Sequence, residues 1–534
     1  MALLAPSPAI AMAPWILPLR RWQAQACQAW VATRPQDDLW IATPGSGKTL
    51  AAARLAHALL RANDVARVVY VVPREHLKGQ TARAFGAAGV HLDYRFRNSD
   101  PHLASDLHGA VVSYQQVAAD PRIYAEFTGS VRTLVIFDEI HHAGDQASWG
   151  AALRTAFTPA HYRLALSGTP FRSDGQPLPF VHYRGDTCVA GYTYGYKEAL
   201  VDAICRPVVF GLFDGQAAWI SRDGTEHRAK FADRLRKTLH AERLRTHLFS
   251  DSLGTVIAAA NRRLMHLRRT EHPAAAALAV CLSVEHATTV AGLIREHTRT
   301  EPIVVVSEDD EASRNLAAFG SSTAPWIVAV HMVSEGIDIP RLRVGVYASN
   351  VRTNLYFRQF AGRFVRIERD LKKTQAAYVY VPADPTIMAF AKQIKDEVHG
   401  ALKQRRENAL EAERVEPSVE PSEPSAYQPL YATLAITGSL HGDLPDVPAT
   451  SESRQAHIPT STRVLVDEKY VLKKEVLALV ARASRQFEVG HAKIHATLKT
   501  RCTGGLRTAT FSQLQARKEA LTKWIQGNTY DGYR

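Results

Sequence analysis

Short apolar, often β-branched runs alternate with stretches of helical period along most of the chain. In the first part they predict strands over Leu39–Ala42, Val68–Val72, Ala110–Ser113, Leu134–Phe137 and Arg163–Leu166. The second part repeats the theme over Leu278–Leu282, Ile303–Val306, Trp326–Val330, Val344–Tyr347 and Ala377–Val381. Strand runs that alternate with helices indicate mostly parallel sheets covered by helices. The expected fold class is therefore α/β, with two tandem domains of this kind.

Other segments break the pattern. Arg206 to about Arg269 shows a possible hairpin punctuated by Gly215 and Gly224, then an Arg-rich helical stretch, and is expected to be a connector with an insertion. A charged helix is expected after Ile394 to about Arg414. Val415–Ala426 follows, where Pro417, Pro421 and Pro424 alternate with Ser and Glu, a composition that cannot build a core and predicts a linker. Leu514, Leu521, Trp524 and Ile525 recur at near-helical spacing in a small helical C-terminal domain. The expected partition is an extension over 1–18, a first domain over 19–205, a connector over 206–269 and a second domain over 270–400. A charged helix with linker over 401–462 and a basic helical domain over 463–534 complete it.

Composition adds a partner. A chain of 534 residues with 46% hydrophobic and 22% charged residues is an ordinary globular protein with room for two to four domains. Its net charge of +13 points to a polyanion, and fourteen Lys and Arg against six Asp and Glu fall between Arg463 and Arg534. The five cysteines are scattered, without zinc or iron–sulfur spacing, which suggests a reducing compartment. The apolar start lacks a basic region and is broken by Pro6, Pro8 and Pro14, and no later run has membrane-spanning length. A cytoplasmic location with no membrane partner is expected.

The chemistry sits at strand ends. Ala42-Thr43-Pro44-Gly45-Ser46-Gly47-Lys48-Thr49 follows an apolar strand and opens a helix at Leu50, the context a phosphate loop requires. Pro44, Gly45, Ser46 and Gly47 would present backbone N–H groups to phosphates, Lys48 would reach the β- and γ-phosphates, and Thr49 would hold magnesium. Asp138 and Glu139 follow the strand Leu134–Phe137. Asp138 would coordinate magnesium through water and Glu139 would polarise the attacking water. Some three hundred residues after the loop come Gln359, Gly362, Arg363 and Arg366. Arginines three apart on a helix can share a face, so both could approach a nucleotide from the second domain. His491 and His495 have the i,i+4 spacing of zinc ligands, but no third ligand is apparent and exposed helix decoration is the expectation.

These motifs, in this order over about Leu19 to Pro382, resemble superfamily 2 helicases with an Asp-Glu-x-His box, here Asp138-Glu139-Ile140-His141. The resemblance implies two RecA-like lobes, ATP and Mg2+ as cofactors, and a nucleic-acid partner. It makes Arg20 and Gln23 an adenine-reading segment, and Pro73, Arg74, Ser113, Tyr114 and Gln115 first-lobe contacts to nucleic acid. His141, Ser167 and Thr169 become the segment that couples hydrolysis to lobe closure. Ser334, Gly336 and Asp338 resemble the second-lobe motif that touches nucleic acid and nucleotide, and Arg363 and Arg366 the γ-phosphate arginines, with Gln359 beside them. Phe171-Arg172-Ser173-Asp174 is similar to DNA-acting members, such as restriction-type translocases and repair helicases, and the C-terminal segment to tails of helicases from actinobacteria and their phages. The implied activity is nucleic-acid-dependent ATP hydrolysis that drives a DNA helicase or translocase. An RNA helicase, or a non-unwinding remodelling subunit with protein partners in replication, repair or defence, stays open.

Overall fold

The computed structural model describes residues 12–144, 147–168, 177–185, 187–221, 225–231, 233, 235, 237–248, 250–306, 310–330, 339–368, 371, 375–413, 465–502 and 505–531. The chain forms two compact units. One comprises Met1–Ile41, Gly47–Thr193 and Arg454–Arg534; the other comprises Ala42–Ser46 and Tyr194–Ser453.

The first unit is built on a seven-stranded sheet. Its strands are β1 (Asp37–Ala42), β2 (Arg67–Val72), β3 (Leu92–Asp93), β4 (Gly109–Ser113), β5 (Thr133–Phe137) and β6 (Tyr162–Ser167). After a small antiparallel hairpin of β7 (His182–Arg184) and β8 (Thr187–Val189), β9 (Tyr192–Tyr194) closes the order β3-β4-β2-β5-β6-β1-β9. The β1–β6, β6–β5, β5–β2, β2–β4 and β4–β3 pairs are all parallel. Parallel strands carry helices on both faces, which is why β2, β4, β5 and β6 are buried along their whole length. Because β1, β6 and β5 run parallel and adjacent, the loops that leave their C-terminal ends open along one edge of the sheet.

The C-terminal helices Leu465–Phe487, His491–Cys502 and Phe511–Gly527 belong to this same unit. They enclose a small core of Val476, Val480, Ile494, Leu498, Leu521 and Trp524. Thr510 caps the last helix, accepting from the Gln513 N–H at 3.2 Å while Gln513 accepts from the Thr510 N–H at 2.9 Å. Ion pairs join these helices to the loop after β3. Lys469 meets Asp106, which also accepts from the Phe511 N–H at 2.8 Å, and Arg507 lies 2.8 Å from Asp100.

The second unit holds a six-stranded parallel sheet, in order β10-β17-β16-β13-β15-β14. The strands are β10 (Val208–Phe213), β13 (Ala276–Cys281), β14 (Ile303–Val305), β15 (Trp326–Val330), β16 (Leu342–Ala348) and β17 (Ala377–Pro382), with a separate antiparallel hairpin of β11 (Gln216–Ile220) and β12 (Glu226–Lys230). Helices Leu253–Thr270 and Val284–Thr298 pack Ile257, Leu264, Val290 and Ile294 against Leu278's neighbours Ala277 and Ala279 and against Val328 and Val346.

Two expectations change here. Arg206–Arg269 is more than a connector, since it supplies the edge strand β10 and the covering helix Leu253–Thr270. Being an edge strand, β10 alternates buried and half-buried residues, a weaker signal than the continuous runs of central strands. The charged helix begins at Pro385, not after Ile394. Asp384 accepts from the Thr386 N–H at 2.9 Å and Pro385 takes the first helical position, a start signal that precedes the charged stretch.

Gly345 in β16 shows how the second sheet seats its site. A Cβ there would lie 2.5 Å from the tip of the Phe364 ring. Gly345→Ala is therefore expected to overpack this point and destabilise by about 1–3 kcal/mol, seen as a lower midpoint in urea denaturation.

Candidate nucleotide site

The phosphate loop bends through two glycines in the left-handed region, Gly45 at φ +79° and Gly47 at φ +92°. Gly47 caps the helix Lys48–Arg61, so the loop hands its N–H groups directly to a helix N-terminus. Gln23 braces it from the first helix, Arg21–Thr33. Its amide donates to the Gly47 carbonyl at 2.9 Å and accepts from the Arg20 N–H at 2.8 Å, and the side chain is wholly buried. A Cβ on Gly47 would lie 2.7 Å from the Gln23 amide nitrogen, so only glycine permits this brace.

Lys48 makes an ion pair with Glu139. The other Glu139 oxygen accepts from the Gly168 N–H at 2.9 Å and lies 3.6 Å from His141 Nδ1. His141 Nδ1 is in turn 3.4 Å from the Ser167 hydroxyl. The ends of β1, β5 and β6 thus converge on one carboxylate. Glu139 itself has φ +45°, a left-handed turn immediately after the strand that allows Asp138 and Glu139 to diverge.

The two carboxylates titrate in opposite directions. Burial raises Asp138 and the adjacent Glu139 charge raises it further, to about 6 against the opposing pull of Lys48. Burial also acts upward on Glu139, but the Lys48 ammonium prevails and holds it near about 2. One acid is thus kept ionised while burial and that charge favour the neutral form of its neighbour.

Sequence reasoning missed Tyr70. It lies in β2, wholly buried, with its ring edge-on to Phe85 at 5.2 Å. Its hydroxyl has no partner in full hydrogen-bonding geometry, although Thr49 and Asp138 are both close enough to influence its ionisation. The signal was available as a single polar tip inside the run Arg67–Val72. Buried hydroxyls are rarely left unsatisfied, and this one faces the two side chains with oxygen donors.

Among the nucleic-acid candidates, Tyr114 has a fully buried side chain that stacks on Trp149 at 6.2 Å and donates to the Asp138 carbonyl at 3.0 Å, so it supports the acidic turn. Ser113 is buried too, bonded to Glu75 and accepting from the Gln116 N–H at 3.1 Å, and Pro73 is buried beside it. Arg74 is partly exposed and Gln115 exposed. Thr169, Ser334, Gly336, Asp338 and the segment Phe171–Asp174 lie outside the described residues. No group of three or more potential metal ligands of the His, Cys, Asp and Glu types occurs among the described residues.

Arg363 and Arg366 are not on a helix, contrary to expectation. The helix Asn354–Ala361, which carries Gln359, ends at Gly362, and Phe364 and Val365 then turn inward. The Val365 carbonyl accepts from the Arg206 N–H at 2.7 Å, and Arg366 bridges to Cys205 as a short antiparallel pair. Within the second unit, Ala42–Ser46 lies against this turn: a Cβ on Gly45 would come 3.1 Å from Arg366 Cγ, and one on Gly362 would come 2.8 Å from Pro44 Cγ. Both glycines allow close backbone approach.

Tandem parallel α/β lobes, a phosphate loop and an acidic pair at neighbouring strand ends define a helicase-type fold. Residues 16–172 match the family described as Type III restriction enzyme, res subunit, a match that supports a superfamily 2 helicase. It is 43% identical to Rv2917 of Mycobacterium tuberculosis over 420 residues, covering 77% of this chain and 66% of that protein. The chain thus spans just under two thirds of that relative. It is 24% identical to DNA 3'-5' translocase XPB2 of Sulfurisphaera tokodaii, over 65% of this chain and 78% of that one. A fragment of a putative HsdR subunit of a type I restriction enzyme from Vibrio vulnificus has a TM-score of 0.49 at 18% identity, covering 71% of this chain and 66% of the fragment.

The opposite shifts of the acidic pair give a signed expectation. An acid whose folded pKa is raised loses stability as pH rises through that value. In chelator and without nucleotide, Asp138→Asn is expected to melt above wild type at neutral pH, the gap closing as pH falls towards about 4. A pH series of melting temperatures checks this.

Proposed function

We propose that this protein is an ATP- and magnesium-dependent motor that moves along nucleic acid, DNA in preference to RNA. The observation that carries the proposal is the convergence of Lys48, the Gly168 N–H and His141 on Glu139, at the ends of three neighbouring parallel strands. Without a phosphate to hold, the Lys48 ammonium is neutralised by Glu139. A γ-phosphate that takes Lys48 releases the Glu139 carboxylate to orient and deprotonate the attacking water.

Thr49 and Asp138 suit a hard cation, both offering oxygen beside the Tyr70 hydroxyl in a site where burial already disfavours the charged Asp138 carboxylate. Magnesium bound there would neutralise charge on the phosphates. Arg363 and Arg366 would stabilise charge on the transferring phosphoryl group, with Gln359 beside them. Arg74 and Gln115 would meet the nucleic-acid backbone. DNA is favoured because the named relatives include a DNA translocase and a type I restriction endonuclease subunit.

A panel of ATPase assays with single-stranded DNA, duplex DNA and RNA tests the reading, and the largest stimulation is expected with DNA. Stimulation by RNA alone would make it an RNA motor. Turnover indifferent to every nucleic acid would favour a remodelling subunit that acts on protein. Glu139→Gln should lower stimulated turnover by roughly 10²–10⁴-fold while nucleotide still binds. Wild-type turnover in that variant would remove Glu139 from its role.

Tyr70→Phe keeps the ring and deletes the hydroxyl. It is expected to raise the magnesium concentration that half-saturates nucleotide binding by roughly 10-fold, followed with a fluorescent nucleotide.

A further inference from the structure

The first unit contains a cavity of about 970 Å³ that belongs to neither the phosphate loop nor the acidic turn. One wall is the start of helix Leu77–Ala87 together with the loop from Asp93 to Asp100; the other is helix Leu465–Phe487 and the segment about Arg507. The groove therefore needs the C-terminal helices in place, and the ion pairs of Asp106 with Lys469 and Asp100 with Arg507 hold them there.

Four of the cations in its lining are paired: Lys78 with Glu75 at 3.3 Å, Arg95 with Asp467 at 3.2 Å, Lys469 with Asp106 and Arg507 with Asp100 at 2.8 Å. Arg97 and Lys473 are cations beyond these pairs, with Asp93 the remaining carboxylate of the lining. Exposed Gln115 and the partly exposed amides of Asn98 and Gln116 add neutral polar groups.

An aromatic ring stands on the same wall. Tyr470 is 40% exposed, with the Arg95 guanidinium 4.1 Å from its centroid and the Lys474 ammonium 4.8 Å away. Lys473, Lys474 and Leu477 lie three, four and seven residues after Tyr470, so each shares a face of the helix with it. A basic groove with an accessible aromatic ring is how proteins hold a single strand, the cations tracking phosphates and the ring stacking on a base.

We infer that the C-terminal helices complete a sequence-tolerant groove on the first unit that seats one nucleic-acid strand by its phosphates, with Tyr470 stacking on a base. The inference rests on the reading above that the chain acts on nucleic acid, and extends the surface around Gln115 with C-terminal residues outside the motor motifs.

The test uses the full chain without nucleotide and a labelled single-stranded oligonucleotide, with affinity measured by anisotropy over a salt series. Arg97→Ala with Lys473→Ala should weaken binding at low salt by roughly tenfold and flatten the log–log salt slope by about 1.4, at ~0.7 for each lost phosphate contact. Tyr470→Ala should weaken binding by roughly 5- to 100-fold, the loss of one stacked base, and leave the slope unchanged. Melting temperature and unstimulated ATPase should match wild type in both variants. Wild-type binding with unchanged affinity and slope in both variants would overturn the groove and leave the motor proposal standing. A wild-type chain that binds no oligonucleotide would overturn both.

Discussion

The ion pair between Lys48 and Glu139 is the constraint on which the rest of the candidate site depends. It requires β1 and β5 to end on the same side of the sheet, which only parallel strands with β6 between them provide. It also requires the backbone to turn sharply after each strand. Gly47 does this in the phosphate loop without steric cost, whereas Glu139 does it against the preference of an L residue. A strained residue held by a lysine, a backbone N–H and a neighbouring histidine is over-determined by its surroundings. That pattern fits a group whose position matters more than its contribution to stability.

The same carboxylate explains why its neighbour differs from it. Lys48 can compensate one charge well, and Glu139 takes it. Asp138, equally drawn into the sheet edge, is left with the repulsion of Glu139. Tyr70 and Tyr114 reinforce the division from below, the first near the Asp138 side chain and the second on its carbonyl. Two adjacent acids therefore have separate chemical characters because burial and the Glu139 charge outweigh the pull of Lys48 at Asp138, whereas Lys48, His141 and the Gly168 N–H together outweigh burial at Glu139.

How much of this could be read from the chain depended on where the information lay. Buried parallel strands such as Val68–Val72 and Leu134–Phe137 are long apolar runs, and they were legible at once. The edge strand Val208–Phe213 alternates, so it was hidden inside an apparent connector. Glycine and lysine spacing exposed the phosphate loop, because backbone geometry there dictates residue type. Tyr114 sat in a motif position that suggested exposure, yet its burial against Trp149 is a tertiary fact that spacing cannot carry. Likewise, three-residue spacing placed Arg363 and Arg366 on a helix. Gly362 and the inward-facing Phe364 instead end that helix and aim the segment through a turn.

The basic C-terminal segment shows how a charge count changes meaning once the fold is known. From sequence, every lysine and arginine beyond Arg463 looked equally available to a polyanion. Lys469 is 9% exposed and committed to Asp106, and Arg507 is committed to Asp100, so part of the surplus fastens the helices to the first unit. Arg517 is almost wholly buried as well. What stays accessible is more ordered than a basic tail. Lys473 and Lys474 lie beside Tyr470 on one helical face, and Arg95 comes to the same ring from the first sheet's loop. Charges fixed on a folded surface suffer less conformational entropy loss on binding than charges on a loose chain. Docking therefore uses some of the cations to fix the position of the others, and a smaller fixed set can hold a strand more firmly than the larger set could as a flexible tail.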